Sequence, residues 1–185
     1  GGTASRIVEE SQRRSKLSGK IVFSKNLNLV DSIDDDGNKS SVSNFRNGEI
    51  KLIDTKNNTL ADWHIPYGAK IYVKNNQKIK IGELIFAWDP YMDVILARAD
   101  GNVRFRDFIE NETYVEEVVE GGKKMIVITE SKNRNLSPHL EIESTSKGKS
   151  VMGGMSILPF KSTVIVSDGE KVKKGQILVK IPKES

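Results

Sequence analysis

A chain of 185 residues without a single cysteine excludes disulfides, thiolate catalysis and cysteine-based zinc sites. Hydrophobic residues make up 37%, enough for two modest cores, and no stretch approaches the roughly 20 apolar residues of a membrane-spanning helix. The formal charge of +4 sits at the ends. Residues 1–20 carry five basic and two acidic side chains, and residues 161–185 carry six and three, so each end is +3 and the middle −2. Ends that meet in space would form one positive patch; for residues 161–185, solvated lysines on strand faces are the simpler reading.

Residues 1–20 are polar and charged and show no signal-segment pattern. Within them, residues 3–16 read as a helix, with Thr3 or Ser5 as cap and only Ile7, Val8 and Leu17 for an apolar stripe. A helix so polar is barely stable alone and suits one arm of something larger. From Gly19 the period becomes two. Lys20-Ile21-Val22-Phe23 and residues 26–30 read as strands, followed by a turn at Asp34-Asp35-Asp36-Gly37-Asn38. Residues 49–53 and 60–65 form a hairpin around residues 55–59.

The segment from Ile65-Pro66-Tyr67 to Ile85-Phe86 then returns, without a gap and 93 residues later, from Leu158-Pro159-Phe160 to Leu178-Val179. Pro66 matches Pro159, Lys80 matches Lys173 and Gly82 matches Gly175. A period this long does not suit a solenoid and indicates two copies of one small β domain. Each copy reads as an alternating strand, a polar turn, a short strand, a glycine suited to positive φ and an apolar strand. Between the copies, residues 94–97 and 102–105 read as a hairpin opening the second module. Residues 114–119, 124–130 and 140–143 supply its outer strands, and the glycine-rich residues 148–156 a mobile connection.

Catalytic constellations do not stand out. The acidic turn lacks EF-hand ligands, with serine at positions 32 and 43 where the first ligand and the bidentate glutamate belong. His64 and His139 have no metal-ligand partner at the usual spacing. No nucleophile elbow, P-loop or dinucleotide fingerprint occurs, and Gly153-Gly154 lacks the strand and helix of a phosphate cradle. The adjacent pairs Glu9-Glu10 and Glu116-Glu117 diverge on either kind of element. Trp63, Trp88 and Tyr91 suit packing better than ligand stacking. Arg6, Arg13 and Arg14 near the start, and Arg104 and Arg106 on one strand face, are the candidate phosphate or partner contacts, with ion pairing the default for the last two.

In order along nearly the whole chain, Gly1-Gly2-Thr3-Ala4-Ser5-Arg6, Leu52-Ile53-Asp54, Ile65-Pro66-Tyr67-Gly68-Ala69, Trp88-Asp89-Pro90, Gly101-Asn102-Val103-Arg104-Phe105-Arg106-Asp107 and Ile181-Pro182-Lys183-Glu184-Ser185 resemble the beta-prime subunit of bacterial DNA-directed RNA polymerase. The resemblance implies a lineage-specific insertion in the trigger loop. It implies a mainly β fold of two tandem sandwich-barrel hybrid motifs with a short N-terminal helical arm: residues 1–18 as the arm, 19–97 and 98–182 as the modules, and 183–185 as the return. It further implies a non-catalytic segment, with the parent enzyme's magnesium and zinc bound elsewhere and no cofactor in this chain. The implied partners are the beta, alpha and omega subunits and sigma factor, with downstream DNA and elongation factors as further candidates, in the nucleoid-associated cytoplasm and away from membranes. Two other readings stand beside it: a docking platform for a transcription factor or downstream DNA, and a carrier domain. The carrier reading rests on the likeness of residues 168–176 to biotinyl and lipoyl domains, but the hairpin that presents a modified lysine is missing.

Overall fold

The computed structural model describes residues 11–33, 39–118, 120–122 and 124–183. Among these the chain is almost wholly antiparallel β structure and divides into two compact units after Tyr91, with residues 31–33 grouped with the second. The expected mainly β, sandwich-barrel character is what the strands form. Residues 48–53, 101–106 and 139–143 alternate between buried and less buried positions, one face for a core and one for solvent, whereas residues 85–87 are buried in succession.

The first nine strands are β1 (Ser11–Arg14), β2 (Gly19–Phe23), β3 (Leu29–Ile33), β4 (Lys39–Ser43), β5 (Gly48–Ile53), β6 (Thr59–Ile65), β7 (Lys70–Ile71), β8 (Lys78–Ile79) and β9 (Leu84–Trp88). They form a five-stranded sheet in the order β1-β9-β7-β4-β3 and a four-stranded sheet in the order β6-β5-β2-β8. The core of this unit is built on Ile21, Ile50, Leu52, Ile65, Ile85 and Phe86, all nearly or fully shielded from solvent.

The next nine are β10 (Met92–Leu96), β11 (Gly101–Arg106), β12 (Tyr114–Val118), β13 (Lys124–Ile128), β14 (His139–Glu143), β15 (Ser156–Ile157), β16 (Thr163–Val164), β17 (Lys171–Val172) and β18 (Ile177–Pro182). Their sheets run β10-β18-β16-β13-β12 and β15-β14-β11-β17. Strand for strand this is the first unit's topology repeated, so the duplication extends well beyond the segment visible in the sequence. The register agrees in detail. Gly19 lies opposite Ile79 and Gly101 opposite Val172; Ile21 faces Leu52 as Val103 faces Ile142. Even the irregularity between Arg13 and Arg14 in β1 recurs between Ile95 and Leu96 in β10. The second core gathers Val103, Ile128, Leu140, Ile142, Leu178 and Val179.

Three expectations from the sequence change. The predicted helix over residues 3–16 is, in its described part, strand β1, which pairs antiparallel with β9; residues 1–10, including Arg6, lie outside the described residues. The four residues of β1 are an edge strand with one mostly exposed face, so they carry no apolar alternation strong enough to announce a strand. Second, residues 94–97 and 102–105 do not form a hairpin. β10 pairs with β18, whereas β11 pairs with β14 and β17. The chain passes between sheets at Gly101, where a Cβ would lie 2.3 Å from the Glu143 carbonyl oxygen. Residues 94–97 accordingly fall in the second unit, as the counterpart of β1. Third, residues 148–156 are tied back to β14: Val151 N–H donates to the Ile142 carbonyl at 2.7 Å, Ser144 N–H to the Lys149 carbonyl at 2.8 Å, and Ser150 bridges Glu143. The acidic turn at residues 34–38 lies outside the described residues.

Candidate functional site

Each unit presents one cluster of the sequence-flagged arginines. In the second, Arg104 and Arg106 lie two apart on β11, on the face that β14 shares, because cross-strand neighbours on a sheet project together. Arg104 Nε donates to Glu143 Oε2 at 3.0 Å. Arg106 Nε donates to Glu141 Oε2 and its Nη2 to Glu143 Oε1, both at 3.0 Å. Ser150 Oγ donates to Glu141 Oε2 at 3.0 Å. The Arg106 guanidinium, then the Ser150 hydroxyl, hold the Glu141 carboxyl below its ordinary value, and Glu141 in turn raises that of Arg106. Forked contacts to two carboxylates occupy the directions a phosphate would need. The pair is therefore structural ladder more than open anion site.

His139 joins the same ladder, which the sequence spacing did not suggest. Its Nδ1 is 2.7 Å from the Ser137 carbonyl oxygen and its Nε2 is 3.3 Å from Glu141 Oε1. Both neighbours are acceptors, so only the imidazolium donates to both at once. The signal was available in His139-Leu140-Glu141: residues two apart on a strand share a face. His64, by contrast, is exposed on β6, opposite Glu49.

In the first unit, Arg13 and Arg14 sit on β1 and bracket a groove of about 360 Å³ lined also by Ser15, Lys16, Leu17, Leu60, Ala61 and Trp63. The Arg13 guanidinium carbon lies 5.1 Å from the Trp88 ring centre, and Trp88 stacks on Phe86 at 5.3 Å. Arg14 Nη1 donates to the Gly82 carbonyl at 3.1 Å. Trp63 packs against the first core, so the two tryptophans are packing anchors as expected, while Tyr91 is exposed. Among the described residues no group of three or more His, Asp or Glu converges as a metal site, and no helix is long and apolar enough to cross a membrane.

No protein-family model matches the chain. Among curated proteins, the DNA-directed RNA polymerase subunit beta' of Salinibacter ruber is 38% identical over 188 residues, covering 100% of this chain and 13% of the relative. That of Porphyromonas cangingivalis is 39% identical over 189 residues, again across 100% of this chain and 16% of the relative. Over its whole length the chain matches a segment of the RNA polymerase beta-prime subunit. As a beta-prime segment it spans 13–16% of these curated relatives, and that of Flavobacterium psychrophilum agrees at 36% identity over 187 residues. The beta-prime resemblance read from the sequence motifs is thereby borne out over the whole chain.

Proposed function

We propose that this segment is a non-catalytic insertion in the trigger loop of the beta-prime subunit and modulates how readily that loop folds during RNA synthesis. The supporting observation is the whole-chain match to a small part of a much larger subunit, by a segment that holds two complete β units with a core each. Elements of that kind fold around their own cores and are tolerated as insertions. In this reading the chemistry, with its magnesium and zinc, belongs to other parts of the subunit. The partners are the beta, alpha and omega subunits and sigma factor in the cytoplasm.

The mechanism is mechanical coupling. A two-unit insert must move when the loop that carries it folds. It biases that folding only by the difference in contact free energy between the two states. A coupling of about 1–3 kcal/mol changes loop closure, and with it nucleotide addition or pausing, roughly 5- to 150-fold. The test is reconstituted polymerase in which residues 11–183 are replaced by a short flexible linker, the cut starting at β1 because that strand belongs to the first unit. Single-nucleotide addition rates and pause lifetimes on one template should change by such a factor. Unchanged values on both measurements overturn the reading and leave the second one, a docking platform, which the basic groove of the first unit favours.

A further inference from the structure

The duplication supplies an internal comparison for the groove on the first unit. By register, Arg13 and Arg14 of β1 correspond to Ile95 and Leu96 of β10, and Trp63 of β6 to Ser156 of β15. The second unit thus fills the same fold positions with apolar or small residues, so the fold does not call for two arginines and a tryptophan there. What the first unit has in addition is a groove lined by Arg13, Arg14 and Lys16 together with Leu17, Leu60, Ala61 and Trp63, with no carboxylate among the described residues of its lining. Leu17 and Leu60 stay 46% and 37% exposed, apolar surface that a monomer gains nothing by showing.

Two features decide the occupant. β1 and β6 are end strands of their sheets, so among the described residues each is paired along one side only, and an end strand accepts an added extended chain by backbone hydrogen bonding. The apolar lining is aliphatic apart from Trp63, which packs on the core, and Trp88 lies outside the lining with its ring engaged by Phe86 and Arg13, so the described lining lacks the succession of aromatic faces on which bases stack. We propose that this groove binds an extended acidic peptide of a partner chain, with Arg13, Arg14 and Lys16 meeting its carboxylates and Leu17, Leu60 and Trp63 seating one of its apolar side chains. The inference concerns the first unit alone and stands whether or not the trigger-loop reading holds.

The experiment titrates the 185-residue chain with a fluorescent pool of blocked octapeptides in which aspartate or glutamate alternates with leucine, isoleucine, valine or phenylalanine. A lysine-for-acid pool, an N-methylated acidic pool and an oligothymidylate serve as controls. Saturable binding to the acidic pool is expected, at least tenfold tighter than to the lysine or N-methylated pools, weakening steeply with salt. Lys16→Glu and Leu60→Ser should each reduce it about tenfold or more, while thermal melting of both variants stays at the wild-type value. Three results each overturn the proposal: binding no tighter than to the lysine pool, binding that both variants leave unchanged, or oligothymidylate binding more tightly with the same sensitivity to Lys16→Glu, which would assign the groove to nucleic acid.

Discussion

Gly82 and Gly175 hold the same turn in the two units: φ is 88° at one and 92° at the other, and the N–H of each donates across the sheet at 2.8 Å, to the Ser15 carbonyl and the Ala97 carbonyl respectively. The following residues return the bond, Ser15 N–H donating to the Glu83 carbonyl at 2.9 Å and Ala97 N–H to the Gln176 carbonyl at 2.8 Å. The turn thus ties β9 to β1, and β18 to β10, just where the register shifts. A left-handed turn at this place favours glycine for its backbone alone.

At Gly82 a Cβ would meet nothing within 4 Å, so Gly82→Ala should cost only the left-handed strain, about 1–2 kcal/mol. Gly19 is different: a Cβ there would lie 2.7 Å from the Ile53 carbonyl oxygen and 2.9 Å from Leu52 Cγ. Gly19→Ala should therefore cost about 3 kcal/mol by overpacking. Both tryptophans, Trp63 and Trp88, are in the first unit, so tryptophan fluorescence during urea unfolding reports on that unit. The expected order of midpoints is wild type, then Gly82→Ala, then Gly19→Ala; equal midpoints for the two variants would refute the close approach at Gly19.

Ile21 and Val103 are equivalent and both fully buried, one at the centre of each core. Since the second unit already uses valine at this position, Ile21→Val should be mild, about 0.5–1.5 kcal/mol, whereas Ile21→Ala leaves a cavity and should cost about 2–5 kcal/mol. The same fluorescence-detected unfolding distinguishes them. An Ile21→Val cost as large as that of Ile21→Ala would mean that the two cores do not pack alike at this place.

The ladder of Arg104, Arg106, Glu141 and Glu143 makes a prediction about acid. The Glu141 carboxyl is held below its ordinary value, chiefly by Arg106. A carboxyl depressed in the folded state stabilises that state fully at pH above its unfolded value, and the contribution is lost as pH falls through the lower folded value. Far-UV circular dichroism melts at pH 7 and at successively lower pH should show the wild type losing stability below about pH 4.5. Glu141→Gln should be less stable at pH 7 and should lose less on acidification, because the ionisable group is gone. A parallel pair of curves would rule out Glu141 as a contributor to the acid limb.

Why half of the duplication was readable in the sequence is a matter of spacing. From Ile65 to Phe86 the two copies keep a constant offset of 93 residues, because β7, β8 and β9 are joined by tight turns that cannot change length without breaking the sheet. Upstream the offset drifts. Gly19 and Gly101 are 82 apart and Ile50 and Leu140 are 90 apart, since the loops that join β2 to β5 differ in length from those that join β11 to β14. Loops on the surface accept such changes while the strands they join keep their partners. Of the flagged residues, Arg104 and Arg106 declared a shared face by their spacing, but their glutamate partners came from a strand some forty residues on, which no local pattern reveals. The groove at Arg13 and Arg14 was hidden for a further reason: it depends on β1 being a strand.

That last point carries its own prediction. If residues 11–16 were a helical arm outside the fold, a chain beginning at Leu17 would unfold like the full one. As strand β1 they pair with β9 over four positions, Arg13 opposite the buried Phe86, and supply the Ser15 backbone groups to the turn at Gly82. Removing them takes the Arg13 guanidinium from the Trp88 ring and leaves the β9 edge without its backbone partners, a loss of about 2–4 kcal/mol from the lost hydrogen bonds and ring contact together. The truncated chain should unfold at lower urea by tryptophan fluorescence, with Trp88 emission shifted to the red in the native baseline because its ring loses Arg13. Unchanged midpoint and unchanged emission would return the segment to the helical reading. Replacing Arg13 and Arg14 by isoleucine and leucine, the residues at the equivalent places in β10, should instead keep the midpoint within about 0.5 kcal/mol of wild type.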